Sequence, residues 1–145
     1  MRLQKKILIG AIIFFVGVVA LSLVHQASAA ICIRGTPLIS INPGNQTASG
    51  PGIPLIYTVT ITNTDSRSCA AAQFTFISIP PNVPIGWSDG FNPTTLSLQS
   101  GAQGQVDYLI ASPGTVTTGL YPFQVSTTNT ASGISSTWIT GNYIV

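Results

Sequence analysis

From residue 37 onward, apolar and polar positions alternate in short runs, and clusters of Pro, Gly, Asn and Ser separate the runs. The clearest run is 55–62. Side chains of a strand alternate between faces, so Leu55, Tyr57, Val59 and Ile61 share one face. Ile56, Thr58, Thr60 and Thr62 share the other, and the first set is the expected core. Asn63-Thr64-Asp65-Ser66 then ends the strand with side chains that bond their own backbone. The same pattern predicts strands over 37–42, with Ile39 and Ile41 together, and over 72–79, with Phe74 and Phe76 together. Further strands are predicted over 94–98 (Leu96 and Leu98 inward) and 105–111 (Val106, Tyr108 and Ile110 inward, Asp107 outward). The last two are 120–128, with Tyr121, Phe123 and Val125 together, and 134–145. The stretch 43–54 holds three prolines and three glycines and is expected to be a loop or a broken edge. Ser88-Asp89-Gly90 is expected to be a turn.

No stretch after residue 30 keeps a 3.6-residue apolar period, and Thr, Val, Ile and aromatics fill the runs. The pattern therefore predicts an all-β antiparallel sandwich of seven or eight strands, with no internal repeat and no second domain.

The first 29 residues follow a different pattern. Arg2, Lys5 and Lys6 precede an apolar run over 7–24, and Ala27-Ser28-Ala29 ends the segment. This is the layout of a secretory signal cleaved before Ala30. The apolar run is also long enough to serve as a retained membrane anchor. Lipoprotein processing fits poorly because Ile31 precedes Cys32, and a prepilin leader fits poorly because position 15 is Phe. The expected organisation is thus a signal segment over 1–29 and one sandwich domain over 30–145. The expected location is extracytoplasmic: secreted, periplasmic or at the cell surface. Membrane association is expected only if the first segment is kept.

Charge changes the picture once that segment is set aside. The whole chain is formally +2, but residues 30–145 keep Arg34 and Arg67 against Asp65, Asp89 and Asp107, or 2 − 3 = −1. Nothing basic remains to neutralise phosphates, so nucleic acid is not an expected partner. After Cys32 the sequence has no Glu, Lys, His or Met. A serine nucleophile would find no His or Lys as its base. Three aspartates that read as turn or outer-face residues make a poor carboxylate pair. Calcium could draw on Asp65 with Asn63 and Ser66, or Asp89 with Asn92, but turn chemistry explains both clusters. No enzymatic activity, cofactor or metal is expected. Cys32 and Cys69 are the only cysteines, and in an oxidising compartment they most simply form one disulfide closing a 38-residue loop.

The ordered motifs carry a resemblance. They begin with Cys32 and Pro37-x-Ile39-x-Ile41-x-Pro43, followed by the run from Tyr57 to Ser66, Cys69 and Phe74. Pro84-x-Gly86-Trp87, Leu96-x-Leu98, Ser112-Pro113 and Gly119-x-Tyr121-x-Phe123-x-Val125 complete the order. The set resembles bacterial Ig-like modules related to the NEW domain of α-galactosidases, which are often appended to secreted proteases and glycosidases. The resemblance implies an Ig-like Greek-key fold and an accessory role: spacing, stabilising or binding. Gly119-x-Tyr121 also looks like a tyrosine corner, in which the phenol bonds nearby backbone.

Three roles follow as expectations. The first is a non-catalytic, secreted or surface-associated module that contacts an extracellular protein or a surface. The second is a stand-alone carbohydrate-binding module, with Trp138 and Trp87 as the candidate stacking residues and Phe91 and Tyr143 behind them. Trp138 alternates with Ile139, so if Ile139 faces the core, Trp138 faces out. The third is a subunit of an extracellular fibre or surface assembly, because few charges guard the sheet edges.

Overall fold

The computed structural model describes residues 30–145, so the signal or anchor expected over 1–29 lies outside the described residues. Ten strands and no helix are present among the described residues. They are β1 (Leu38–Asn42), β2 (Asn45–Thr47), β3 (Leu55–Thr62), β4 (Ala72–Ile79) and β5 (Ser88–Asn92). The rest are β6 (Thr95–Leu98), β7 (Gln103–Ala111), β8 (Leu120–Asn129), β9 (Ile134–Ser135) and β10 (Ile139–Ile144). They form a four-stranded sheet, β1-β3-β7-β5, and a six-stranded sheet, β2-β10-β8-β4-β6, with β9 paired to β8.

Three differences raise the count from seven or eight to ten. β2 lies in the stretch expected to be a loop or a broken edge, and it is a three-residue strand at the edge of its sheet. Asn-Gln-Thr has no apolar alternation to betray a strand, and it pairs with β10 in parallel, the one exception to the antiparallel pattern. β5 occupies the expected Ser88-Asp89-Gly90 turn. Asp, Gly and Asn are poor strand formers, and only pairing along β7 makes this an edge strand. The expected last strand splits, because residues 136–138 leave the ladder between β9 and β10.

The chain changes sheet twice through very short links. β1 belongs to the four-stranded sheet, and β2 joins the other just after Pro43. β5 and β6 make the same switch around Pro93. Proline offers no amide donor, so a ladder stops there readily. The Asn42–Pro43 and Asn92–Pro93 bonds are both cis.

The expected inward residues do form the core. Tyr57, Val59, Ile61, Phe74, Val106, Tyr108, Ile110, Phe123 and Val125 are buried, with Ile39, Ile41, Leu55, Phe76, Leu96 and Tyr121 packed against them. Aromatic rings link the sheets: Tyr57 meets Phe123 edge-on at 4.8 Å, and Tyr108 lies 5.1 Å from Phe123. Such pairs contribute about 0.5–1.5 kcal/mol each beyond their burial. Gly141 makes room for this packing, because a Cβ there would run into the Phe123 ring. The buried phenols are paired. The Tyr57 hydroxyl donates to the Asn142 carbonyl at 2.7 Å, and the Tyr143 hydroxyl donates to the Ile53 carbonyl. The Tyr121 hydroxyl donates to the Thr117 carbonyl at 2.8 Å, which is the tyrosine-corner bond.

One end of the sandwich is stitched. Cys32 and Cys69 form the disulfide, with their Cα atoms 4.6 Å apart. Beside it, Ile33 N donates to Ser66 Oγ, and Ser66 N donates to the Ile33 carbonyl, both at 2.9 Å. Gly35 lets the two segments approach, since a Cβ would stand 2.6 Å from the Thr64 carbonyl oxygen.

Candidate binding face

The outer face of the six-stranded sheet is set by register. On β4, Thr75, Ile77 and Ile79 lie beside Thr128, Ser126 and Gln124 of β8. On the other side of β8, Gln124 and Pro122 lie beside Thr140 and Asn142 of β10. Alternation sends the neighbours Phe74, Phe123 and Val125 into the core, so these residues must face out. Ile77 and Ile79 are each about half exposed, at 51% and 49%. Ser126 is covered on this face, with its Oγ 3.2 Å from both the carbonyl and the hydroxyl oxygen of Ser136. Trp138, two residues after Ser136, is 43% exposed, while its neighbour Ile139 packs against the core.

An open groove of about 380 Å³ crosses this face, between residues 79–82 on one side and Pro122, Gln124 and Thr140 on the other. Its walls are proline rings and an isoleucine, with amides and one hydroxyl between them. None of the strands β2, β4, β6, β8, β9 and β10 carries a charged residue. A smaller hollow of about 270 Å³ lies along the edge strand β5, beside Leu109.

The charged groups are all elsewhere. Asp65, expected as a turn former, is instead a buried ion-pair partner. Its Oδ2 accepts from Arg34 at 2.6 Å and from Asn129 at 3.2 Å, and its Oδ1 accepts from Gly35 N at 2.9 Å. Burial by itself would raise the Asp65 carboxyl. Arg34, the Gly35 amide and Asn129 outweigh it and hold the group below the usual carboxylate range. The turn chemistry belongs to Asn63, whose Oδ1 accepts from Asp65 N at 3.0 Å. Asp89 bridges the sheets: it accepts from Tyr108 Oη at 3.0 Å and from Ser78 of β4. Burial, then the adjacent Asp89 charge, pushes the Tyr108 phenol up. Asp107 is exposed on the outer side of β7, as expected. Among the described residues, no three His, Cys, Asp or Glu gather as a metal site.

Of the stacking candidates, only Trp138 is exposed, and it precedes β10 rather than lying in it. Trp87 packs inside, its ring 5.3 Å from Tyr121 and 5.1 Å from Tyr143. Among the described residues its Nε1 is buried without an acceptor. Tyr143 is fully buried, and Phe91 packs between Phe76 and Tyr108. Sequence reasoning missed the groove, because it joins a loop after β4 to strands some 40 residues away. The available signal was the lack of charge in every segment that became this sheet.

No protein-family model matches the chain, and no curated protein matches it. Solved structures do share its fold. A FixG-related protein from Vibrio parahaemolyticus is 12% identical with a TM-score of 0.52, over 76% of this chain and 96% of that one. A family 123 glycoside hydrolase from Clostridium perfringens is 12% identical with a TM-score of 0.56. That match covers 77% of this chain but only 27% of the hydrolase chain. At these identities the likeness shows the fold: an Ig-like β-sandwich.

Proposed function

We propose that this protein is a non-catalytic, extracytoplasmic contact module that binds a protein or surface partner through the outer face of its six-stranded sheet. The observation that carries the reading is the uncharged face itself, with Ile77 and Ile79 exposed on it and an open groove beside Ile79. Exposed apolar groups clustered on one face mark interaction sites more often than scattered ones do. The disulfide supports an oxidising location. The resemblance to NEW-related modules supports an accessory role. Two of the three aspartates of residues 30–145 help hold the fold, Asp65 with Arg34 and Asp89 with Tyr108, which supports a module without chemistry of its own.

Binding to the cell-envelope fraction of the producing cells tests this. Ile79→Lys places a charge beside the groove and should weaken retention about tenfold, or ~1.4 kcal/mol. Gln105→Lys, on the outer side of the other sheet, should leave retention unchanged. Equal retention of both variants and the wild type would remove the face from the account.

A second reading is favoured by the exposure of Trp138, just before β10. An indole face suits a neutral polysaccharide. Calorimetry with neutral glucans and galactans tests it: binding lost in Trp138→Phe or Trp138→Ala supports this role, and no heat with either sugar class counts against it.

A further inference from the structure

We infer that Asn45 is a modification site, whose side-chain amide nitrogen receives an oligosaccharide as the chain is exported. The inference rests on export, which the disulfide supports, and not on the contact face.

The sequence narrows the choice to one residue. Enzymes that transfer oligosaccharides to asparagine read Asn-x-Ser/Thr in exported chains, with any residue but Pro between. The chain has seven asparagines, and only Asn45-Gln46-Thr47 has that form. Asn92 has Thr94 two residues on, but Pro93 stands between them and blocks the motif. A motif this short arises easily by chance in a Thr-rich chain, so its placement decides.

Placement favours modification in two ways. The first is access. Asn45 and Thr47 are both exposed and share one side of β2. Gln46 turns the other way and donates to the Ile56 carbonyl. Gly44 faces open space, so nothing bulky crowds the approach. Asn45 Oδ1 accepts from Asn142 Nδ2 at 2.7 Å. That bond occupies the oxygen end of the amide. It leaves Nδ2, the atom to be modified, without a partner among the described residues.

The second is timing. β2 pairs with β10 alone, and its partners Asn142, Tyr143 and Ile144 lie 97 positions further along the chain. A chain that crosses the membrane from its N-terminus therefore presents β2 unpaired until those residues follow. β1, by contrast, pairs with β3, which follows it closely. A transferase at the membrane thus meets Asn45 in free, extended chain, and the ladder forms afterwards.

The co-reactant is an oligosaccharide joined through phosphate to a lipid carrier. Asn45 Nδ2 attacks the anomeric carbon, and a C–N bond forms as the C–O bond to the phosphate breaks. The lipid phosphate leaves with the electron pair, and the nitrogen gives one of its two protons to a base of the transferase. The transferase reads the hydroxyl of Thr47, which serine also supplies. The added sugar then stands on an edge strand that has no charge to discourage pairing with a further strand. β10 and β8 separate β2 from β4, so the sugar is rooted three strand spacings from Ile77 and Ile79, about 14 Å at ~4.8 Å each. It leaves that side of the face open.

Peptide mass spectrometry of the protein exported by its producing cells tests the inference. Trypsin should release residues 35–67, which hold Asn42, Asn45 and Asn63. The peptide should carry an added oligosaccharide mass, with fragment ions placing it on Asn45. Asn45→Gln and Thr47→Ala should each abolish the addition, and Thr47→Ser should keep it. If Asn45→Gln fails to fold, the loss in Thr47→Ala and the rescue in Thr47→Ser still decide the matter. A wild-type peptide of unmodified mass overturns the inference. So does an addition that sits on another residue or survives Thr47→Ala.

Discussion

Asp65 shows how one side chain can be placed correctly in sequence and still be misjudged. Its Asn63-Thr64-Asp65-Ser66 setting is legible as a strand ending, but its partner Arg34 lies 31 positions away. No local pattern reveals that pairing. The Asp65 side chain is fully buried while Arg34 keeps 22% of its side chain exposed, so the charge left alone by Arg34→Ala would be the buried one. Loss of this charge-assisted bond should cost about 1.5–3 kcal/mol in denaturant melts. The linkage has a definite sign. The folded-state pKa of Asp65 is depressed, so its stabilisation is present above the ordinary value of about 3.9 and is lost as pH falls through the lower folded value. The melting temperature should therefore drop on acidification below about pH 4, and Asp65→Asn should flatten that drop.

The buried phenols titrate in the opposite sense. Burial, then the neighbouring Tyr143, pushes Tyr57 up to about 12, and Tyr108 is raised by burial and Asp89. Stability from these groups is complete below about pH 10 and falls as pH rises from there through the folded values. Tyr57→Phe should reduce the alkaline loss seen in melting curves between pH 10 and about 12.

At the scale of strands, alternation was enough wherever a strand has one face in the core. β3, β7 and β8 keep the apolar residues that enter the core on every second position, and each was legible for that reason. β2 and β5 were not, because an edge strand of Asn, Gln, Thr, Asp and Gly owes its conformation to the neighbour it pairs with. The disulfide was legible because the chain offers only two cysteines, and it pins the 31–35 segment to the turn after β3. In the chain-entropy model, a bridge between residues 37 apart is worth about 3–4 kcal/mol. Cys69→Ser should lower unfolding stability by about that amount in urea. A loss below about 1 kcal/mol would mean that the Arg34–Asp65 and Ile33–Ser66 bonds hold the segment unaided.

For the whole molecule, the unequal placement of charge is the property that matters most. Arg34, Asp65 and Arg67 sit at the stitched end, and Asp89 and Asp107 belong to the four-stranded sheet. The strands of the six-stranded sheet are left without charge, with Ile77 and Ile79 exposed on the outer face and a groove beside Ile79. Composition foretold a chain poor in reactive groups. It could not foretell that the few charges would leave one entire face bare, because that depends on which strands pair. Site-specific photocrosslinking in the producing cells tests the contact face most directly, with the probe placed at Ile79 on the bare face or at Asp107 on the opposite sheet. The account predicts a discrete crosslinked product from position 79 and none from position 107. Products from 107 alone, or from neither position, would contradict it.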